Sequence, residues 1–273
     1  MINKSINSTI SIPPMIKWPG GKRALVADIL HLFPDKFGSY FEPFFGGGAV
    51  FFAAQPENSI LSDSNEQLIN AYRQVRDNLK PLINIMKTYK NSERDYYAVR
   101  SASPKTNLKR AARFLYLTRL SFNGIHRVNL KGEFNVPYGY KAHLEAFDED
   151  QLQRASIALQ RAELFSGDFE DLTNNAKSGD LIYFDPPYTV AHAHNGFVKY
   201  NERIFSWSDQ KRLARHAKAL AYRGCRVIVS NADHESVHEL YREFDCYKVS
   251  RASIIAASSK HRGQVTESIY VLG

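Results

Sequence analysis

An acid, two prolines and an aromatic ring stand together at Asp185-Pro186-Pro187-Tyr188. They follow directly on Leu181-Ile182-Tyr183-Phe184, an apolar run of the kind found in a strand buried on both faces. In an open α/β sheet the reactive crevice lies at the carboxyl ends of the strands, where this tetrapeptide would sit. A carboxylate and the carbonyl before a proline can together accept the two N–H bonds of an exocyclic amine. Accepting both localises a nitrogen lone pair that is otherwise delocalised into a ring, and points it at an electrophile. Tyr188 would give an extruded base a stacking face. For four residues taken alone, a Pro-Pro turn that merely ends a strand is an equal alternative.

A second constellation is rich in glycine. Lys17-Trp18-Pro19-Gly20-Gly21-Lys22 is followed by Phe41-Glu42-Pro43-Phe44-Phe45-Gly46-Gly47-Gly48. Glycines after a first strand let the backbone approach a bulky ligand. The spacing is that of neither a dinucleotide loop nor a P-loop, and no Gly-Lys-Ser/Thr is present, so a phosphate cradle is unsupported. Asp63, just past the strand end Ile60-Leu61, suits hydrogen bonds to ribose hydroxyls. It also suits the N-cap of a helix starting near Glu66, and the two roles are compatible.

These groups need elements to carry them. The pattern predicts a helix over 22–33, a short buried strand over 40–42, a helix from Ala49 and a strand ending at Leu61. This is the opening of an open α/β sheet that binds a nucleoside cofactor. From 66 to 157 helical periodicity takes over, with Leu68, Ile69, Tyr72 and Val75, then Phe114, Leu115, Leu117 and Leu120. Between Ser101 and Gly132 there are seven basic residues and no acid, which reads as a phosphate-facing surface rather than an ordinary solvated helix face. The α/β pattern returns after about Ala158, with a helix over 209–222 and strands over 225–229, 245–249 and 268–272. The expected organisation is a discontinuous catalytic unit, 1–65 with 158–273, and an inserted unit, 66–157.

Composition bounds the partners. The 273 residues carry 36 Lys and Arg against 28 Asp and Glu, a formal charge of +8, which favours polyanions such as nucleic acid. Cys225 and Cys246 lie near predicted strands and read as buried free thiols, with no disulfide framework or zinc pattern. Pro13 and Pro14 interrupt any signal-like apolar run, and no stretch is long enough to span a bilayer. The expectation is a reducing, cytoplasmic location. His192 and His194 have no nearby Cys or paired acid, so they read as loop residues and no metal is expected.

In chain order, KWPGGK at 17–22, FEPFFGGGAVFF at 41–52, SDSN at 62–65, RFLYLTRLSFNGIHRVNLKGEFNVPYG at 113–139 and DPPY at 185–188 form one set. This set resembles the Dam-like DNA adenine-N6 methyltransferases, the D12 class with a DPPY motif, over nearly the whole chain. The resemblance implies a Rossmann-like S-adenosylmethionine-dependent methyltransferase sheet with an inserted, mostly helical DNA-recognition domain. It also implies S-adenosyl-L-methionine as cofactor, double-stranded DNA as partner and a monomer working at the bacterial nucleoid.

Roles follow by position. Trp18 and Lys22 match the N-terminal cofactor pair, and Glu42, Phe44 and Gly46 fall in the methionine-side loop. Asp63 matches the ribose acid, while Asp168 and Phe169 match, more loosely, the contacts to the cofactor's adenine. Asp185, Pro186, Pro187 and Tyr188 match the catalytic motif, with Asp185 also close to the cofactor. Arg119, Phe122, Asn123, Ile125, Arg127 and Pro137 fall on the DNA-reading hairpin, and Lys17 approaches a base edge from the catalytic side. Arg127 is the candidate guanine reader, and Phe122 with Asn123 would replace the flipped base. The implied target is an adenine within a site such as GATC. His126 and Val128 depart from the residues expected in that hairpin. Segment 190–200 reads as a loop closing over the adenine, with Tyr200 or Asn201 near DNA. A DNA-binding regulator that keeps the fold but not the activity is disfavoured by the intact DPPY, Trp18 and Lys22. A methyltransferase for cytosine N4, RNA adenine or protein glutamine is disfavoured by Asp at 185.

Overall fold

The computed structural model describes residues 11–129, 131–191, 205–252 and 264–273. His192, His194, Tyr200 and Asn201 lie outside them. Among the described residues, seven strands form one mixed sheet: β1 (Tyr40–Glu42), β2 (Ser59–Asp63), β3 (Ala162–Ser166), β4 (Leu181–Phe184), β5 (Arg226–Ala232), β6 (Asp245–Ala252) and β7 (Gln264–Leu272). Their order is β3-β2-β1-β4-β5-β7-β6. The first five run parallel, and β7 is antiparallel to both β5 and β6.

Side-chain alternation along the strands divides the core in two, because successive residues point to opposite faces. Tyr40, Leu181, Tyr183, Ile228, Ile269 and Val271 pack on one face. Phe41, Ile182, Phe184, Val227, Val229 and Tyr270 pack on the other. The first face is covered by α2 (Ala49–Ala54), α3 (Glu66–Asp77), α4 (Leu79–Met86), α6 (Asn107–Leu120) and α7 (Glu149–Leu159), with α1 (Val26–His31) beside them. The second is covered by α8 (Phe169–Thr173), α9 (Trp207–Tyr222) and α10 (Glu235–Leu240). With helices on both sides, all four residues of β4 are buried, as its unbroken apolar run requires.

The segment expected as an inserted unit takes part in two cores. Leu68, Leu82, Phe114 and Leu152 share one apolar cluster with the strands. Tyr96 of α5 (Glu93–Ser101), Tyr116, Leu117 and Leu120 form a second cluster with Phe134, Val136 and Tyr138. Helix α6 belongs to both and so ties the 121–138 hairpin to the body of the protein.

Two expectations are corrected. The N-cap of α3 is Asn65, whose side chain accepts from the Leu68 N–H; Asp63 accepts from the Asn65 N–H instead. Of the two free cysteines Cys225 is buried but Cys246 is exposed, on β6 at the edge of the sheet.

Candidate active site

The connection from β1 runs to β2 on one side of the sheet, and β4 continues to β5 on the other. The β1–β4 boundary is therefore the topological switch point, where an open α/β sheet leaves a crevice at its carboxyl edge. Glu42 ends β1 and Asp185 follows β4 at that boundary. A cavity of about 480 Å³ opens there. Of the residues expected to hold a cofactor, Trp18, Lys22, Glu42, Phe44, Gly46 and Asp63 line it, as do all four residues 185–188.

The glycine loop is held from three sides. Gly46 and Gly48 have φ of +47° and +67°, a region costly for side-chain-bearing residues. A Cβ on Gly46 would stand 2.8 Å from Cδ1 of Trp18, so the indole lies directly on the backbone. The Gly46 N–H donates to Oδ2 of Asp63 at 2.9 Å, and its carbonyl accepts from the buried Tyr72 hydroxyl of α3 at 2.9 Å. The end of β2 and the first turns of α3 thereby fix the loop that closes one side of the cavity.

Charge in the site is concentrated and dry. Lys22, 4% exposed, places Nζ 2.8 Å from Asp185 Oδ1 and 3.6 Å from Glu267 Oε2, and donates to the Gly20 carbonyl at 2.7 Å. The same Nζ sits over the Tyr188 ring, 4.8 Å from its centroid. Tyr188 donates its phenol proton to Glu267 Oε2 at 2.6 Å. Glu42 is buried and accepts from the Tyr40 hydroxyl at 2.8 Å. Desolvation pushes its carboxyl up to about 8, the Tyr40 hydrogen bond opposing and the charge of Asp185 assisting. Burial also raises Asp63, against the two N–H groups that favour its charged form.

The tetrapeptide is anchored from behind. Ser206 and Asp209 form a capping box that starts α9, each side chain accepting from the other's backbone N–H. This sets the buried Gln210 one residue further on, where Nε2 donates to the Pro187 carbonyl at 3.0 Å and Oε1 accepts from Asn231 of β5 at 2.9 Å. Glu267, Gln210 and Asn231 were not legible as site residues. Glu267 and Asn231 fall beyond the predicted strands, and Gln210 is one polar residue among many in its helix.

Replacing Glu267 with Gln keeps the shape but removes one of the two carboxylates around Lys22. The expected result is a fall in turnover of about tenfold with cofactor and duplex affinity changed less than threefold. A drop in both affinities by the same factor as turnover would instead mark Glu267 as a folding residue.

Two expected cofactor residues stand apart. Asp168 and Phe169 do not line the cavity. The Asp168 carboxylate is committed to a two-pronged pair with Arg212, at 3.0 and 2.7 Å, and caps α8 through the Glu170 N–H. Phe169 is buried, stacked on Phe44 at 5.5 Å, so it backs the wall rather than forming it.

The expected DNA-reading residues divide likewise. Bridges Ser121–Tyr138 and Val128–Phe134 close a hairpin. Phe122 is 54% exposed and Ile125 38%. Asn123, Arg127 and Pro137 are also exposed, Arg127 resting on Asn135 through a 2.8 Å hydrogen bond. Asn123 and Gly124 are both left-handed, and the exposed Lys17 lays its aliphatic stem on Gly124. Arg119 does not join this face: its Nε donates to the Glu145 carbonyl, and its guanidinium turns toward Asp148. Arg113, from the same basic run, donates to the carbonyls of Val99 and Arg100 at the end of α5. Lys141, which the motifs did not single out, donates to the Arg119 carbonyl; burial lowers its ammonium, and the charges of Lys17 and Arg119 lower it further. That marks a cluster of cations beside the hairpin.

An α/β crevice at a topological switch point, lined by a glycine loop, Asp63 and the Asp-Pro-Pro-Tyr tetrapeptide, has the form of a small-molecule binding site. The sequence pattern of the D12 class N6 adenine-specific DNA methyltransferases matches residues 18–255, and the chain belongs to that family. It is 38% identical over 270 residues to the Type II methyltransferase M1.LlaDCHI of Lactococcus lactis subsp. cremoris, covering 95% of each chain. It is 35% identical to the DNA adenine methylase of Haemophilus influenzae, covering 99% of this chain and 97% of that protein. The DNA adenine methylase of Escherichia coli K12 is 32% identical, with 92% of each covered. Among solved structures, a precorrin-6y C5,15-methyltransferase from Geobacter metallireducens aligns over 92% of this chain and 87% of that one, at 8% identity and a TM-score of 0.37.

The cofactor of this enzyme is S-adenosylmethionine, and the cavity fits it. Its volume lies in the range of small-molecule sites. Its carboxyls at 42, 63 and 185 suit a cationic, hydroxyl-bearing ligand, and Gly46, Gly47 and Gly48 line it with backbone. No helix among the described residues is long and apolar enough to cross a membrane.

Proposed function

We propose that the enzyme methylates N6 of an adenine flipped out of duplex DNA, within GATC, acting as a monomer in the compartment that holds the DNA. The observation that carries the reading is the position of residues 185–188, which share one cavity with the glycine loop on one side and with His126 and Val128 of the hairpin on the other. An amine bound at Asp185 would therefore face the cofactor site while its parent duplex lay along the hairpin. Bound S-adenosylmethionine supplies the electrophilic methyl group.

The protein's own residues do the rest. Asp185 and the Pro186 carbonyl accept the two N6–H bonds, so the lone pair points into the cavity. Gln210 holds Pro187, and Glu267 holds Tyr188, so neither half of the tetrapeptide reorganises during transfer. Glu42 and Asp63 orient the cofactor's amine and ribose ends, and Trp18 and Phe44 supply apolar walls. Phe122 and Asn123 fill the space that the base leaves, a role suited to an exposed ring beside a left-handed Asn.

Arg127 reads a guanine through its fork, whereas Lys109, exposed on α6, meets phosphate. Arg127→Ala should relax specificity at one base pair, at a cost of about 1–3 kcal/mol for the cognate site. Lys109→Ala should weaken all duplexes alike and reduce the salt slope by about one. Equal losses on every sequence in both variants would remove Arg127 from the readout. The reading as a whole is tested by transfer of labelled methyl to unmethylated duplex, followed by nucleases that distinguish methylated from unmethylated GATC. Label in N6-methyladenine with a matching change in cleavage supports it. Label without that change retains the chemistry and rejects the site.

A further inference from the structure

His126 belongs to the hairpin by sequence and to the cavity by position. Its ring stacks on Trp18, with centroids 5.2 Å apart and planes at 22°. Phe114 of α6 and Phe134 of the opposite hairpin arm close around it at 5.2 and 5.7 Å. Within this aromatic cage Nε2 is buried and has no hydrogen-bond partner. Burial pushes the imidazole down to about 4, so the ring is neutral at physiological pH. A buried polar atom left unpaired is unfavourable, and a phenyl ring would fill the same cage without that penalty.

The surroundings indicate what the histidine is for. On one side it is flanked by Ile125 and Arg127, exposed residues of the hairpin. On the other it touches Trp18, which lies on Gly46, whose N–H is held by Asp63. This is a continuous line of packed groups from the DNA-facing turn to the loop that holds the cofactor. Movement of the hairpin would carry the His126 ring against the stacked Trp18 indole, and packed walls of this kind shift between discrete arrangements rather than deform smoothly.

We propose that His126 is a positioning residue that couples the two binding events: engagement of duplex by the hairpin shifts the ring, gives Nε2 a partner and sets Trp18 against the occupied cofactor loop. This rests on the reading of the cavity as a cofactor site and of the hairpin as a DNA surface. Linkage then requires that duplex and cofactor strengthen each other's binding by the same factor.

The test measures affinity for S-adenosylhomocysteine, the cofactor's form with no methyl to transfer, by calorimetry with and without duplex carrying the target site, together with thermal stability of the free protein, in the wild type, His126→Phe and His126→Ala. In the wild type, duplex should tighten cofactor binding by about tenfold. His126→Phe should raise the melting temperature, since the cage is filled and no polar atom is stranded, yet reduce the coupling below about twofold. His126→Ala should lower the melting temperature and abolish the coupling. A His126→Phe protein that is stabilised and keeps the wild-type factor overturns the proposal, as does a wild type with no coupling. A wild type that binds neither ligand overturns the underlying reading itself.

Discussion

Replacing Asp185 with Ala lowers methyl transfer by at least about 10²–10³-fold, the loss that follows removal of one preorganised electrostatic group from a reacting centre. Duplex binding stays largely intact, because the hairpin and its cations are untouched. Asp185→Asn keeps the volume and an acceptor oxygen but loses the charge and its pair with Lys22, so it is impaired less than Asp185→Ala. Stability is affected less. Breaking a buried pair outright costs about 3–5 kcal/mol, but Lys22 keeps the Gly20 carbonyl and Glu267 as partners. Single-turnover methylation with saturating cofactor and duplex is the measurement. An Asp185→Ala enzyme retaining even a tenth of wild-type turnover would end the proposed role.

Glu42 gives the second large effect, and it appears as a proton. With its carboxyl pushed up to about 8, the free protein holds Glu42 mostly protonated at pH 7. A cationic group brought against it favours the carboxylate, so cofactor binding at pH 7 releases close to one proton. Calorimetry in two buffers of different ionisation heat counts it; a count of zero would separate Glu42 from the cofactor's cationic end. The folded carboxyl lies above its ordinary value of 4.5, so the native state holds the proton more tightly than the unfolded chain. Its contribution to stability is therefore full below about pH 4.5 and is lost as pH rises through about 8. Glu42→Gln removes that slope, leaves the free fold near neutral in stability and weakens cofactor binding by about 10- to 100-fold, the value of one charge-assisted hydrogen bond. Binding of undiminished strength by this variant would contradict the assignment.

The parts of the fold that were legible in sequence are those whose burial is complete. β4 is an unbroken apolar run, and β1 is short but buried throughout, so both stood out. β3 did not, because it is an edge strand with Glu163, Phe165 and Ser166 exposed, and its composition is that of a loop. β7 was expected over 268–272 but begins at Gln264, which left Glu267 outside the predicted strand and unconsidered. Motif order located the glycine loop, Asp63 and the tetrapeptide. It could not say which side chains fold back on themselves. Arg119 and Asp168 fall in the segments that the motifs single out, yet each spends its charge on a neighbour within the protein. Gln210 and His126 show the converse: nothing in their local sequence signals the carbonyl that one anchors or the cavity wall that the other forms.

The position of β7 between β5 and β6 bears on when a newly made molecule can act. Among the described residues β6 pairs with β7 alone, so its place in the sheet waits until the later segment has left the ribosome. The same late strand carries Glu267 to Lys22, which lies far earlier in the chain. Contacts between such distant positions are the slowest to form, since the intervening chain must already be ordered. A nascent chain can thus complete its hairpin before it possesses the full set of charges around Lys22. Methyl transfer is thereby reserved for molecules whose synthesis has passed that strand.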